Sequence, residues 1–453
     1  MKDTRDSFWD RVPLPVLIGL LATAILIGAV LVFAAFFNPR PPATAQSTPT
    51  PVGGLGAGIA PTAAPPDSAQ PTAPPAPTAT TAPGIAPAPQ PTTPPLQDAA
   101  MEFGIQSNAL TGDPAYTMNL VKDFLLLGWV KQQVRWGDFS LAQGQMDWSG
   151  FDRVIDAANA KGVRVLFSIV TAPEWTRPSV GGKEGPPDDL NAYAQFVGEV
   201  VDRYKGKVHA IEVWNEQNID SEWKTNPQVV SPERYVELLQ LAHQAIKSRD
   251  PNIIVISGAL APTGFFNGGC DARGCDDLPY LRRMTDLGFL QYADCIGVHV
   301  NGFNLPPEYR HDAGYNDASA SFRGPFDNPH PSWSFRSTLE EYRRATSNQT
   351  PLCVTEFGWA SYEGLSATAL PSYEYALDNT AQEQADWNVQ AFRLMREWGY
   401  VKLAFLFNLD FAQKSPQGAQ DRTAPWSVTD LQGAERPSLR AVRRFMKEIL
   451  GIP

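Results

Sequence analysis

The 453-residue sequence predicts an α/β protein: a single (β/α)8 (TIM) barrel, preceded by a transmembrane helix and by a disordered linker rich in proline, threonine and alanine. Three observations lead to this prediction. The composition divides the chain into an apolar segment, a proline-rich segment and a segment of globular composition. Eight apolar runs typical of buried strands follow one another in the third segment. Helical patterns separate these runs, which is the arrangement of parallel βα units.

The first segment predicts a membrane anchor. Residues 12–38 contain no charged residue, and residues 16–37 are almost wholly apolar, which is long enough to cross the ~30 Å core of a bilayer. Lys2, Arg5 and Arg11 precede this transmembrane signal-anchor helix. The positive-inside rule therefore predicts a single-pass protein of the cell membrane, with residues 1–11 cytoplasmic and the chain after the helix extracellular. A cleaved signal peptide is the alternative, because residues 43–45 have the small side chains of a cleavage site.

Residues 39–98 are predicted to be the disordered linker. Of the 41 prolines, 18 lie between residues 39 and 95, and Asp67 is the only charged residue from 41 to 97. A segment of this composition has no periodic apolar face, so burial cannot offset the entropy lost on ordering. We expect an extended stalk that holds the following domain away from the membrane. A spacer that crosses a cell wall and a simple tether are equally compatible with the composition.

The overall composition excludes several classes of function. The net charge is −11 and basic runs are missing from the sequence, which argues against nucleic acid as a partner. None of the five histidines occurs in a His-x-His or His-Glu-x-x-His motif, so we expect no metal site. We also expect no cofactor and no protein partner. The membrane, through the N-terminal helix, is a predicted partner.

Residues 99–453 are predicted to form the barrel. Eight strand–helix units fit this length with long loops. An open, doubly wound sheet is the alternative, but that architecture usually has a glycine-rich first turn, which does not follow the first strand here. The predicted strands are residues 102–106, 130–136, 163–169, 210–214, 253–257, 295–299, 352–356 and 401–407; the clearest helical patterns are 151–161, 190–204, 232–249, 380–398 and the segment after Pro437.

Two glutamates stand where two of the predicted strands end. Glu216 follows strand four in the run Trp214-Asn215-Glu216, and Glu356 ends strand seven. The carboxyl ends of the strands form the mouth in which TIM-barrel active sites lie. Two carboxyl groups across one opening are what glycosidic bond cleavage needs, because one protonates the leaving oxygen and the other attacks the anomeric carbon or activates water. The alternative is that both are ordinary loop residues bonded to strand-end amides.

With these motifs, the domain resembles clan A of the retaining glycoside hydrolases, and most nearly the members related to family 39 and family 5. In that clan the acid/base residue follows an asparagine at the end of strand four, and the nucleophile ends strand seven. The resemblance covers residues 100–450 and implies that Glu216 is the acid/base residue and Glu356 the nucleophile of a double displacement at O-glycosidic β-linkages. It also implies an oligo- or polysaccharide substrate as a partner. Further stretches that resemble these families are residues 134–136, 144–148, 151–152 and 171–175.

The resemblance also implies supporting roles. Arg135 matches the arginine that bonds the nucleophile, and a guanidinium there would keep that carboxylate ionised. Asn215 would bond the sugar 2-hydroxyl, and His299 would contact the site from strand six. Trp175 and Trp359 are the aromatic residues expected to stack on the sugar, whose C–H faces are apolar.

The sequence departs from the clan in several places. Gln217 stands where proline is common, Asn301 where a tyrosine usually bonds the nucleophile, and strand eight lacks a tryptophan after Phe407. These departures leave a second class of function open, a non-catalytic carbohydrate-binding protein at the cell surface. A cell-surface scaffold with no glycan ligand is a third.

The four cysteines suggest an oxidising location. Cys270 and Cys275 bracket a short loop after strand five, and a disulfide there is expected. Cys295 and Cys353 begin neighbouring strands, and both are expected to be buried core thiols.

Overall fold

The computed structural model describes residues 100–315, 330–365, 368–370 and 373–453. The predicted cytoplasmic segment, transmembrane helix and linker lie outside these residues. Within the described part of the chain, no helix is both long enough and apolar enough to span a bilayer.

Eight parallel strands form one sheet in the order β6-β7-β8-β1-β2-β3-β4-β5, as the sequence analysis predicts for a (β/α)8 barrel. A single bridge between Ile256 and Cys295 joins its two ends. The strands are β1 (Glu102–Gln106), β2 (Trp129–Arg135), β3 (Arg164–Val170), β4 (Ala210–Val213), β5 (Ile254–Ser257), β6 (Ile296–Asn301), β7 (Leu352–Gly358) and β8 (Val401–Leu406).

Eight longer helices lie between and after the strands, and their starts follow ordinary capping rules. Thr380 and Glu383 form a reciprocal capping box at the start of α7. Ser231 caps α4, with proline as the first helical residue. The helices are α1 (Pro114–Asn119), α2 (Ser149–Lys161), α3 (Leu190–Arg203), α4 (Pro232–Lys247), α5 (Asp277–Asp286), α6 (Phe335–Ala345), α7 (Ala381–Trp398) and α8 (Pro437–Leu450).

The lower interior of the barrel is apolar. Trp129 on β2 and Ala210 on β4 point into it and pack in one buried cluster with Phe405. Because strand side chains alternate between the two faces of a sheet, the residues two positions later, Lys131 and Glu212, also point inward. Both are completely buried. The strands therefore place a charged layer directly above the apolar base.

The two cysteines at the starts of β6 and β7 correct a prediction. Cys295 and Cys353 are buried, as expected, but they are not free thiols: they form a disulfide with a Cα–Cα distance of 5.7 Å. The register of the parallel pair brings them together, since Gly297 lies opposite Cys353. This distance is in the ordinary disulfide range. The prediction was wrong because strand register, which fixes the distance, cannot be read from the spacing of the cysteines along the chain.

Candidate active site

The two predicted catalytic carboxyl groups meet at one histidine. His299 on β6 lies with its Nδ1 3.0 Å from Oε1 of Glu216 and its Nε2 3.8 Å from Oε1 of Glu356. The two glutamates thus approach opposite nitrogens of a single imidazole ring. Their side chains are 23% and 15% exposed, so both reach the solvent at the mouth of the barrel.

An unusual backbone path delivers Glu216 to this position. After β4 ends, Trp214 (φ 76°) and Glu216 (φ 48°) both adopt left-handed conformations, which residues other than glycine rarely do. The surroundings hold this path in place. The N–H of Glu216 donates to the carbonyl of Ala259 at 2.8 Å, and the buried indole of Trp214 donates to the carbonyl of Glu222 at 3.1 Å. Such conformations persist where neighbouring structure over-determines them, and they cluster at functional sites.

A buried lysine faces Glu356. Nζ of Lys131 lies 3.0 Å from Oε1 of Glu356 and 3.0 Å from Oε2 of Glu212. Burial acts to raise the pKa of Glu356, but the positive charges of His299 and Lys131 outweigh it and leave that pKa below its ordinary value. Glu356 is therefore held as an anion, the form that a nucleophile needs.

Glu212 balances the charge of the lysine. Its Oε1 accepts a hydrogen bond from the hydroxyl of Thr355 at 2.6 Å, and its side chain has no solvent contact. Burial acts to lower the pKa of Lys131, but Glu212 and Glu356 together raise it, so the lysine stays charged. Neither Lys131 nor Glu212 was predicted from the sequence to belong to the site. The signal was present, since a lysine and a glutamate inside apolar strands are almost never buried unless they are paired.

His299 is buried beside the carboxyl groups of Glu216 and Glu356. Burial acts to lower its pKa, but the nearby carboxylates, above all Glu356, raise it. Asn215 is also buried, and its Oδ1 has no hydrogen-bond partner in the described part of the chain. A buried amide oxygen without a partner is costly, so a sugar hydroxyl bound next to Glu216 would satisfy it.

The predicted contact between Arg135 and the nucleophile is wrong. Arg135, the last residue of β2, is partly exposed and pairs with Asp138 at 2.8 Å. Lys131 occupies the place beside Glu356, because it lies four residues earlier on the same row of β2 and therefore deeper in the barrel. The charge of Arg135 acts instead on Glu222, a residue of the loop after β4. Burial and the charge of Glu216 raise the pKa of Glu222 to about 7.

Of the two tryptophans predicted to stack on the sugar, one is accessible. Trp175 is 42% exposed, packs edge-on against Trp136 and donates to the hydroxyl of Ser140. Trp359 is fully buried, and its indole N–H donates to the carbonyl of Leu305 at 2.9 Å. A ring with no exposed face cannot stack on a ligand, so the prediction for Trp359 was wrong.

Comparisons with known proteins agree with this architecture. Residues 96–256 match the sequence model of glycosyl hydrolase family 10. No curated protein sequence matches the chain.

Three solved structures illustrate the structural matches. A family 39 glycoside hydrolase from Bacteroides cellulosilyticus WH2 is 17% identical, with a TM-score of 0.53, and the match covers 78% of this chain and 65% of that one. A family 39 enzyme from Xanthomonas axonopodis pv. citri is 15% identical (TM-score 0.52, 77% and 67% covered). Xylanase 10B from Thermotoga petrophila RKU-1, solved with xylobiose, is 14% identical (TM-score 0.50, 79% and 99% covered). This chain therefore spans just under two thirds of the Bacteroides protein.

At these identities the structures show a shared fold, the (β/α)8 barrel. Together with the family 10 match over residues 96–256, they confirm the resemblance to the clan A glycoside hydrolases.

Proposed function

We propose that this protein is a retaining β-glycosidase in which Glu356 is the nucleophile and Glu216 the acid/base residue. The observation that carries the proposal is the approach of both carboxyl groups to His299, with the buried Lys131 beside Glu356 and not beside Glu216. One carboxylate held as an anion and a second carboxyl group in the same opening are the two groups that double displacement requires.

In the first step an oxygen of Glu356 attacks the anomeric carbon while Glu216 donates its proton to the glycosidic oxygen. The bond between the anomeric carbon and the glycosidic oxygen breaks. In the second step Glu216, now a carboxylate, takes a proton from water as the water oxygen attacks the anomeric carbon and releases Glu356. Two inversions give net retention. This chemistry expects the carboxyl groups to lie about 5–5.5 Å apart.

The buried charges support both steps. Lys131 stabilises Glu356 as an anion before attack and again when Glu356 leaves the sugar. While Glu356 is consumed in the glycosyl ester, Glu212 remains 3.0 Å from Lys131. The lysine is therefore paired throughout the cycle, which avoids the high cost of an unpaired buried charge.

We propose an oligo- or polysaccharide with β-linkages as the substrate, with xylan and xylo-oligosaccharides the first to test. Support comes from the family 10 match and from the similarity to a xylanase solved with xylobiose. The exposed face of Trp175, on the loop after β3, is suited to stack on a sugar ring.

We further propose that residues 12–38 anchor the enzyme in the cell membrane and that the linker, residues 39–98, holds the barrel on the extracellular side. The support is the uncharged apolar span and the basic residues that precede it. Fractionation of cells that express the full chain, with protease added outside, tests this orientation. Loss of the barrel domain to the protease is expected, and protection of the domain would contradict the proposal.

The catalytic assignment is tested on aryl β-glycosides (xyloside, glucoside, galactoside and mannoside) and on xylan and β-glucan. Glu356→Ala should abolish turnover. Glu216→Ala should still be glycosylated slowly by aryl glycosides with activated leaving groups, which need little protonation. Wild-type rates in both variants would disprove the assignment. Sugar binding by a wild-type protein that releases no product would favour the non-catalytic alternative.

A further inference from the structure

The chain that follows Glu216 runs along a small hairpin closed by a disulfide. We name residues 217–220 the acid/base loop. The disulfide hairpin consists of Cys270–Asp271 paired with Gly274–Cys275, with a bond between its two cysteines. The N–H of Cys275 donates to the carbonyl of Asn218 at 2.8 Å, and the N–H of Asp220 donates to the carbonyl of Arg273 at 2.8 Å. The acid/base loop therefore runs antiparallel to the second strand of the hairpin and bonds to it as a third strand would.

Side chains of the acid/base loop fix it to the loop after β5 as well. The amide of Asn218 is fully buried, donates to the carbonyls of Ala261 (3.0 Å) and Cys275 (3.1 Å), and accepts from the N–H of Ala261 at 2.8 Å. Gln217 donates to the carbonyl of Gly258 at 2.8 Å. Every one of these bonds lies within two residues of Glu216 along the chain.

The hairpin needs its disulfide. Each of its strands has two residues, and isolated short hairpins are marginally stable in water. Gly274 allows the close approach, since a Cβ there would lie 2.6 Å from the carbonyl oxygen of Asn218. Cys270 lies on the exposed strand, whereas Cys275 is fully buried next to the acid/base loop. The disulfide thus ties the solvent-exposed strand to the one that holds the loop.

We infer that the Cys270–Cys275 disulfide and Asn218 position the carboxyl group of Glu216 for proton transfer. This inference rests on the proposed function. Glu356 is held from β7 and by Lys131, neither of which belongs to the hairpin. Loosening the hairpin therefore affects proton donation and leaves nucleophilic attack in place. Proton transfer requires the carboxyl group within hydrogen-bond reach of the glycosidic oxygen, and a displacement of about 1 Å can cost ~100-fold in rate.

A series of aryl glycosides with different leaving groups tests this inference. The dinitrophenyl glycoside needs little protonation, whereas the unsubstituted phenyl glycoside depends on it. For Cys270→Ser/Cys275→Ser, and separately for Asn218→Ala, kcat/KM should fall about tenfold or more further on the phenyl substrate than on the dinitrophenyl substrate. The alkaline limb of the pH–rate profile for the phenyl substrate should also become shallower.

The second disulfide provides the matched control. Cys295→Ala/Cys353→Ala removes a disulfide from the base of the barrel and should lower kcat/KM by the same factor on every substrate. Folding of each variant is checked by circular dichroism. Equal losses on both substrates in the Cys270/Cys275 and Asn218 variants would overturn the inference while leaving the proposed function intact. A wild-type protein that cleaves no member of the series would contradict the proposed function, and the inference with it.

Discussion

Lys131 shows how one buried side chain determines the chemistry of a site. It lies between Glu212 and Glu356 without solvent contact. The two carboxylates therefore compensate its charge, and they share this one cation. A buried ion pair adds little net stability over an apolar substitute, but removing one partner leaves the other charge buried and unpaired. The three residues therefore act as a unit.

We expect Lys131→Met to destabilise the fold by about 3–5 kcal/mol, because two carboxylates would remain buried without a cation. The pKa of Glu356, which the lysine helps to lower, should rise. Since the ionised form is the active one, the acidic limb of the kcat/KM profile should move to higher pH. Urea unfolding and pH–rate measurements test both effects.

The matched control is Lys131→Met combined with Glu212→Gln. Because Glu212→Gln removes one of the two carboxylates left without a cation, it should recover part of the lost stability. A double variant as unstable as the sum of the two single variants would show that Lys131 and Glu212 are not coupled.

The sequence could predict that Glu216 and Glu356 share one opening, but not which cation lies beside Glu356. Strand ends are visible as the points where apolar runs stop, and Glu216 and Glu356 stand at such points. Which basic residue of β2 reaches Glu356 depends on depth and facing direction inside the barrel. Lys131 and Arg135 share the row of Trp129 on β2, so depth in the barrel, which the motif does not reveal, decides that Lys131 is the residue beside Glu356.

At the scale of single elements, the start of α5 contains a titratable group outside the active site. Asp277, its first residue, is fully buried and accepts a hydrogen bond from the hydroxyl of Ser332 at 2.6 Å. Burial raises the pKa of Asp277 to about 7 from an ordinary value of 3.8. The folded protein therefore retains a proton that the unfolded chain releases between these two values.

Because the folded state retains this proton, the contribution of Asp277 to the free energy of unfolding should fall as pH rises from about 4 to about 7 and then level off. Asp277→Asn keeps the acceptor for Ser332 and removes the titration. The variant should be more stable than the wild type at pH 8, by a few kcal/mol, and this advantage should disappear at pH 4. Urea unfolding across this range tests the difference, which a pH-independent advantage would contradict.

The loop after β6 depends on a glycine. A Cβ at Gly302 would lie 1.7 Å from the indole of Trp359, the buried ring that follows β7. Gly302→Ala should therefore cost roughly 1–3 kcal/mol or more through overpacking. Gly128→Ala is the control, since its Cβ would lie 3.6 Å from the nearest atom. Equal melting temperatures for the two variants would contradict this account of the packing.

At the scale of the whole molecule, the two disulfides have different roles. Cys295 and Cys353 are 58 residues apart, and the loop-entropy model gives such a link about 4 kcal/mol of stability. The same model gives about 2 kcal/mol for the link between Cys270 and Cys275, which are 5 residues apart. We expect Cys295→Ala/Cys353→Ala to lower the melting temperature more than Cys270→Ser/Cys275→Ser.

A thiol titration under denaturing conditions provides an independent measurement. Without reduction, none of the four cysteines should titrate as a thiol. Mild reduction of the folded protein before denaturation should release two thiols, from the accessible Cys270–Cys275 bond. Two thiols before reduction would contradict the buried disulfide.

The overall architecture was predictable because it depends on local patterns. β1 was predicted with its observed bounds, and each of the other strands was found where an apolar run occurs. The Cys295–Cys353 disulfide and the burial of Trp359 were not predictable, because both depend on distances between separate βα units. The residue types at these positions can be read from the sequence, but the distances between residues of separate βα units cannot.

The closure of the barrel is uneven. Neighbouring strands elsewhere pair through several residues, whereas β5 and β6 meet at the one bridge between Ile256 and Cys295. If the barrel opens locally without unfolding, we expect it to open first at this seam between β5 and β6. Deuterium should then enter the amides of Ser257 and Cys295, which bond across the seam, sooner than those of β2 and β3 on the opposite wall.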